Sequence, residues 1–167
     1  MKLLAPSTNW LIAAAVSFVV AGCASTGAKP QAAPATADSP EPGKGLAIFY
    51  RESHFKGGGV GFIVRDLHQL PSDTSLGSGP KIGALPNGSL FVFNATPGKH
   101  TFAGEVTSRI GSWSYRTMNI ESNHVYYVRA DLWGASIGVP SLPELTVVDS
   151  QKGSAAIKNL RRVSLSQ

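Results

Sequence analysis

From Gly45 onward the chain is a succession of short runs in which apolar and polar residues alternate, each closed by Gly, Pro, Asn or Ser. Alternation with a period of two suits a strand that buries one face and wets the other. The runs are LAIFYR (46–51), VGFIVRD (60–66), SLFVFNA (89–95), KHTFAGEVT (99–107), SWSYRTMNIE (112–121), HVYYVRADLW (124–133) and LTVVD (145–149), with KIGAL (81–85) as a short eighth. They are rich in β-branched and aromatic residues, and Asn87-Gly88 and Pro97-Gly98 are strong turn signals between them. Seven or eight such runs in so short a stretch predict an all-β fold, an antiparallel β-sandwich, with a barrel as the other way to close the sheet. Only the end reads as helix, over 151–162. Ser150 can cap it, Ala155, Ala156, Ile157 and Leu160 recur at helical spacing, and cations gather in the last turn, whereas Gly153 argues against it.

Before Gly45 the composition changes abruptly. Residues 24–44, ASTGAKPQAAPATADSPEPGK, contain no apolar side chain larger than Ala, so nothing there can join a core. Prolines at 30, 34, 40 and 42 favour extended backbone, and an extended proline-rich tether of this length reaches about 60 Å. Ahead of it, Leu11 to Val20 (LIAAAVSFVV) form an apolar run of ten after a weakly charged start at Met1-Lys2. A spanning helix needs about 20 apolar residues, so this run has the proportions of an export signal. Val20-Ala21-Gly22-Cys23 is similar to the bacterial lipobox, in which the cysteine thiol becomes a thioether to diacylglycerol. Cys23 is the only cysteine in the chain, and it falls at the one position such processing requires. The expected organisation is a lipoprotein signal peptide (1–22), a lipidated Cys23 with its Ala/Pro-rich tether (23–44), and a β-sandwich domain with a C-terminal helix (45–167). Ala24 in place of Asp resembles the sorting pattern that sends lipoproteins to the outer membrane, facing the periplasm.

Charge and cysteine content exclude several function classes. The formal net charge is +5, but residues 45–149 hold eight basic and eight acidic side chains, so the body is neutral and the excess sits at the ends. A nucleic-acid partner needs a basic face on the folded body and is not expected. One cysteine excludes a disulfide framework and a Cys-rich zinc site. Gly134-Ala135-Ser136-Ile137-Gly138 fits the G-x-S-x-G spacing of a nucleophile elbow, but Pro140 and Pro143 forbid the helix that must follow, and the last histidine, His124, precedes the serine. Gly98-Lys99-His100-Thr101 lacks the Lys-Thr adjacency of a phosphate loop. The histidines at 54, 68, 100 and 124 show no paired ligand spacing, so no metal and no cofactor is expected. Asn87-Gly-Ser and Asn94-Ala-Thr read as turn chemistry. Asp66, Asp73, Glu105, Glu121, Asp131 and Glu144 carry no spacing that marks a carboxylate pair.

One stretch offers a binding surface. Along 112–121, Met118 and Ile120 share a face opposite Trp113, Tyr115, Thr117 and Asn119; along 124–133, Tyr126, Val128, Ala130 and Leu132 oppose Tyr127, Arg129, Asp131 and Trp133. Joined as a hairpin by a three-residue loop, Ser122-Asn123-His124, the two strands would align their apolar faces. The other face would then set Trp113 beside Trp133 and Tyr115 beside Asp131. Trp113, Tyr115, Tyr127 and Trp133 would form a stacking platform for sugars or peptides, or a second packed surface covered by the C-terminal helix. The second is the preferred reading.

Leu85-Pro86-Asn87-Gly88-Ser89, then Pro97-Gly98-Lys99-His100, then Tyr126-Tyr127-Val128 resemble the bacterial lipoproteins that carry domain of unknown function 2846. The closing order of strand, glycine and short helix over 145–160 matches in kind, and the resemblance spans residues 45–160. It departs before the paired tyrosines, where that family often has Gly and this chain has Ser122-Asn123-His124. The resemblance implies a lipoprotein context and a β-rich fold, and no activity. The expected function is a non-catalytic binding or structural module of the cell envelope, held to the membrane by its lipid and meeting a cell-wall glycan or an envelope protein. The alternatives are an envelope hydrolase acting on wall polymers or glycolipids, and a subunit of a larger envelope assembly.

Overall fold

The computed structural model describes residues 38–54, 59–67, 79–107, 113–133 and 142–165. The signal, Cys23 and most of the tether lie outside them, as do His68, Asp73 and Gly134 to Gly138. Among the described residues no helix is long and apolar enough to cross a membrane.

Each alternating run is a strand: β1 (Gly45–Arg51), β2 (Phe62–Asp66), β3 (Lys81–Leu85), β4 (Ser89–Ala95), β5 (Gly98–Val106), β6 (Trp113–Ile120), β7 (Val125–Trp133) and β8 (Leu142–Val148). Helix α1 (Ser150–Ile157) and a two-residue strand, β9 (Arg161–Arg162), follow. The strands form two sheets, one ordered β8-β7-β1-β4-β9 (sheet A) and the other β3-β2-β5-β6 (sheet B). Most neighbours are antiparallel, but β1 runs parallel to β7, and β4 parallel to β9. The fold is an all-β sandwich, with one short helix among the described residues. The turn signals act as their residue types require: Gly88 (φ 67°) and Asn123 (φ 63°) both take left-handed backbone.

The inner faces of both sheets make the core. Ala47, Phe49, Phe91, Val128, Ala130 and Leu145 of sheet A meet Phe62, Val64, Leu85, Phe102, Val106 and Ile120 of sheet B. At the centre Phe49 stacks on Phe91 with centroids 5.1 Å apart, and Phe102 sets its edge to Phe49 at 5.0 Å, the two geometries that aromatic quadrupoles favour. β1 is buried at all seven positions, because Leu46, Ile48 and Tyr50 on its outer face lie in a second cluster with Leu90 and Ile157 of α1. Each such aliphatic side chain contributes about 1.5–3 kcal/mol on burial. Arg51 closes one end of the core. It is 2% exposed, and its Nη1 donates to the carbonyls of Val60 (2.5 Å) and Leu85 (3.4 Å). Burial pulls this guanidinium below its ordinary value, with Asp131 acting in the opposite direction.

Several local expectations change. The helix is capped by Asp149, not Ser150: the Asp149 carboxylate accepts from the Lys152 N–H at 2.8 Å, and this holds the carboxyl below its usual range. The helix ends at Ile157 rather than 162, so the cations do not fill its last turn; Lys158 is the C-cap, and Arg161 and Arg162 form β9. Gly153, which argued against a helix, is what lets it dock, since a Cβ there would stand 2.2 Å from Tyr127 Cγ. β8 starts at Leu142 and takes in Pro143, which opposes Leu132 from an edge strand, where a proline costs no ladder bond. Residues 38–44, on the tether side of the expected boundary, are seated on the domain. Arg162 donates to both oxygens of Asp38 at 2.7 Å, Asn94 exchanges two hydrogen bonds with Glu41, and Asn123 N–H donates to the Lys44 carbonyl.

The largest correction concerns 112–133. β6 pairs with β5 in sheet B, and β7 pairs with β1 and β8 in sheet A. The loop 121–124 is therefore an arch from one sheet to the other, not a hairpin turn. Both apolar faces still point inward, as the alternation requires, but they face each other across the core instead of lying side by side. Trp113 opposes Glu105 and Trp133 opposes Leu142. The two tryptophans are on the outer faces of different sheets.

Candidate functional site

The four platform residues thus separate into three places. Tyr127 is half-buried beneath α1 and packs with Leu46, Ile48 and Ile157. Trp133 is exposed at the far end of β7. Trp113 and Tyr115 stay together on the outer face of sheet B. The C-terminal helix covers Tyr127 and neither tryptophan.

The outer face of sheet B presents a built arrangement. β2 and β5 pair so that Arg65 and Glu105 meet, with Arg65 Nε and Nη2 each 3.3 Å from Glu105 Oε2. A third nitrogen, Nη1, donates to the Gly79 carbonyl at 3.0 Å. Held from two sides, the guanidinium sits 5.9 Å from the centre of the Trp113 ring, within cation–π range. One outward position along β6 is Tyr115, 39% exposed, its hydroxyl raised above the ordinary value by partial burial. It therefore remains a neutral donor and acceptor through the physiological range. Beyond Tyr115, Thr117 and Thr101 join β6 to β5 through a 2.9 Å hydroxyl contact. On the other side a groove of about 330 Å³ runs along β2 and β3, lined by Val60, Gly61, Ile63, Lys81, Ala84 and Thr107 among others. Ile63, in its wall, is the cross-strand partner of Glu105. The surface thus runs from an apolar groove through an anchored ion pair to two aromatic rings.

Arg65 and Glu105 escape a reading of the sequence because they are 40 residues apart and neither belongs to a motif. Their one legible signal is that each occupies an outward position in its run. Three of the four dispersed histidines lie among the described residues. His100 is 1% exposed, stacked on Phe102 at 5.6 Å, with Nε2 donating to the Thr96 carbonyl (2.8 Å) and Nδ1 2.9 Å from Asp66 Oδ2. It clasps β5 to β2 from inside the sandwich. The His54 backbone exchanges two hydrogen bonds with the Asn87 amide, and His124 is exposed, 3.7 Å from Glu121. Among the described residues no three His, Cys, Asp or Glu side chains gather where a metal could sit. Asp131 and Glu144 oppose each other across β7 and β8, but Asp131 Oδ2 is engaged by Arg129 at 2.6 Å.

No family model, no curated protein and no solved structure matches this chain.

Proposed function

We propose that the protein is a lipid-anchored module of the bacterial cell envelope, non-catalytic, that binds a glycan or peptide of the cell wall on the outer face of sheet B. One observation carries the binding reading: Trp113 and Tyr115 lie side by side with an Arg65–Glu105 pair whose geometry is already fixed. Aromatic faces accept the apolar side of a sugar ring, while a neighbouring carboxylate and guanidinium take up its hydroxyls or a peptide amide. Because Arg65 is held by Glu105 and Gly79 before any ligand arrives, little side-chain entropy is lost on binding. The envelope reading is supported by the Val20-Ala21-Gly22-Cys23 sequence and by the resemblance to lipoproteins with domain of unknown function 2846.

Titration with chitotetraose and with soluble muropeptides, followed by tryptophan fluorescence and calorimetry, tests the face. Binding is expected to vanish in Trp113→Ala and weaken in Glu105→Gln, with Trp133→Ala behaving as the parent. Equal loss in Trp113→Ala and Trp133→Ala, or no binding by any of them, overturns this assignment. The location is tested separately by intact mass, which should show a mature chain starting at Cys23 and carrying diacylglycerol; an unmodified thiol overturns it.

A further inference from the structure

We propose that the groove along β2 and β3 takes the free C-terminal carboxylate end of a short peptide with small apolar side chains, the acid meeting Lys81 and Arg65. The proposal rests on the reading above, that this face binds a wall glycan or peptide, and assigns the peptide its place. One row of outward residues across sheet B is Lys81, Arg65, Ala103 and Tyr115. The neighbouring row sets Ile63 beside Glu105 and Glu105 beside Trp113. A register shift between Val64 and Arg65 puts Lys81, rather than Ile82, opposite Arg65. Two cations are thus direct cross-strand partners, an arrangement that costs stability unless an anion joins them. Glu105 compensates only one, by holding Nε and Nη2 of Arg65. Among the described residues no carboxylate pairs with Lys81, which is exposed. With Nη1 on the Gly79 carbonyl, one N–H on each terminal nitrogen of Arg65 is still available.

The lining of the groove decides what the anion is attached to. Its volume of about 330 Å³ is that of a small ligand site, and all the residues lining it are described ones. Val60, Ile63, Ala84 and Pro86 make its walls apolar, and Lys81 is the one charged residue along it. A sugar suits this lining poorly, because Lys81 and Thr107 are its only polar side chains and most hydroxyls would lose water without gaining a partner. Methyl and methylene groups lose nothing there, and a chain end supplies the charge. A terminal carboxylate between an ammonium and a guanidinium forms charge-assisted hydrogen bonds, a recurrent way of recognising chain ends. Trp113 is two strands from Ile63, roughly 10 Å across the sheet. A sugar on the aromatic rings and a peptide in the groove can therefore belong to one ligand.

The test uses the full chain, expressed with its signal and purified in detergent, titrated in a calorimeter with N-acetyl-D-alanyl-D-alanine and with the C-terminal amide of the same peptide. The parent is expected to bind the acid about tenfold more tightly than the amide, the value of one charge-assisted hydrogen bond, and added salt should narrow the difference. In Lys81→Met the acid should bind no better than the amide, and Lys81→Arg should restore the preference. Ala84→Leu, which fills the groove while keeping both cations, should weaken acid and amide together. Thermal midpoints of the three variants close to that of the parent show that they are folded. Equal binding of acid and amide by the parent, or an acid preference that survives Lys81→Met, overturns the carboxylate site. A parent that binds chitotetraose but neither peptide also overturns it and leaves the aromatic face standing. A parent that binds none of the three probes overturns both.

Discussion

Gly153 has no side chain, and the structure supplies the reason: the helix lies against the Tyr127 ring with no space for a Cβ. In an isolated helix Gly→Ala would stabilise by about 1 kcal/mol. Here Gly153→Ala should instead destabilise by about 1–3 kcal/mol, the usual cost of forcing an atom into a packed contact, read from the midpoint of a urea melt. Tyr50 is a second residue whose chemistry follows from packing. Burial pushes its hydroxyl above the ordinary value, with Arg129 opposing and Glu52, Asp131 and Asp149 adding to the rise. The folded chain therefore holds this proton to higher pH than the unfolded chain does. That contribution to stability is present below about pH 10 and is lost as pH rises through the folded value. Melts at pH 8 and pH 10.5 should show a larger loss for the parent than for Tyr50→Phe. A third case is His100, whose ring serves two oxygens inside the sandwich. His100→Leu keeps the volume but removes both bonds, and should cost about 1–3 kcal/mol without altering any metal content.

At the scale of elements, the decisive feature is the arch between β6 and β7. A hairpin and an arch ask the same thing of a sequence: two alternating strands, a short loop and a residue that tolerates left-handed backbone, here Asn123. They differ only in where the two apolar faces point relative to each other. If β6 and β7 lie in separate sheets, Trp113→Ala and Trp133→Ala are independent, and their stability effects should add within about 0.5 kcal/mol. A larger coupling in the double-mutant cycle would restore the hairpin. The arch also brings the edge of sheet B over the edge of sheet A, where Arg116 Nε donates to the Leu145 carbonyl at 3.0 Å. That bond ties β6 to edge strand β8 across the side of the sandwich, which helps keep this edge from pairing with another chain. Arg116→Ala should cost about 0.5–1.5 kcal/mol and raise concentration-dependent aggregation, seen by light scattering.

Across the whole molecule, the two outer faces are unequal. The outer face of sheet A is taken over by α1, so β1 lies between two apolar layers and reads as a nearly unbroken hydrophobic run. The outer face of sheet B keeps its alternation, with Ile63, Arg65, Thr101, Glu105, Trp113 and Tyr115 turned outward. Strand positions, turn residues, inward-facing residues and the helix near the C-terminus were all legible before any fold was known. Each depends on contacts within a few residues, and period-two alternation records which face is buried. The pairing of strands was not legible. Which sheet receives a strand depends on loop closure and on partners tens of residues away, and an inward face satisfies either choice equally. The same limit hid the Arg65–Glu105–Trp113 cluster, whose members come from β2, β5 and β6. It also scattered the expected four-residue platform, since two of its members crossed with β7 to the other side of the core. β9 escaped for a simpler reason: two residues cannot show a period, and its place is set by main-chain bonds to β4. The sequence by itself determined which side chains leave water. Only the tertiary structure decided which of those left in water stand together, because that depends on strand order rather than on strand pattern.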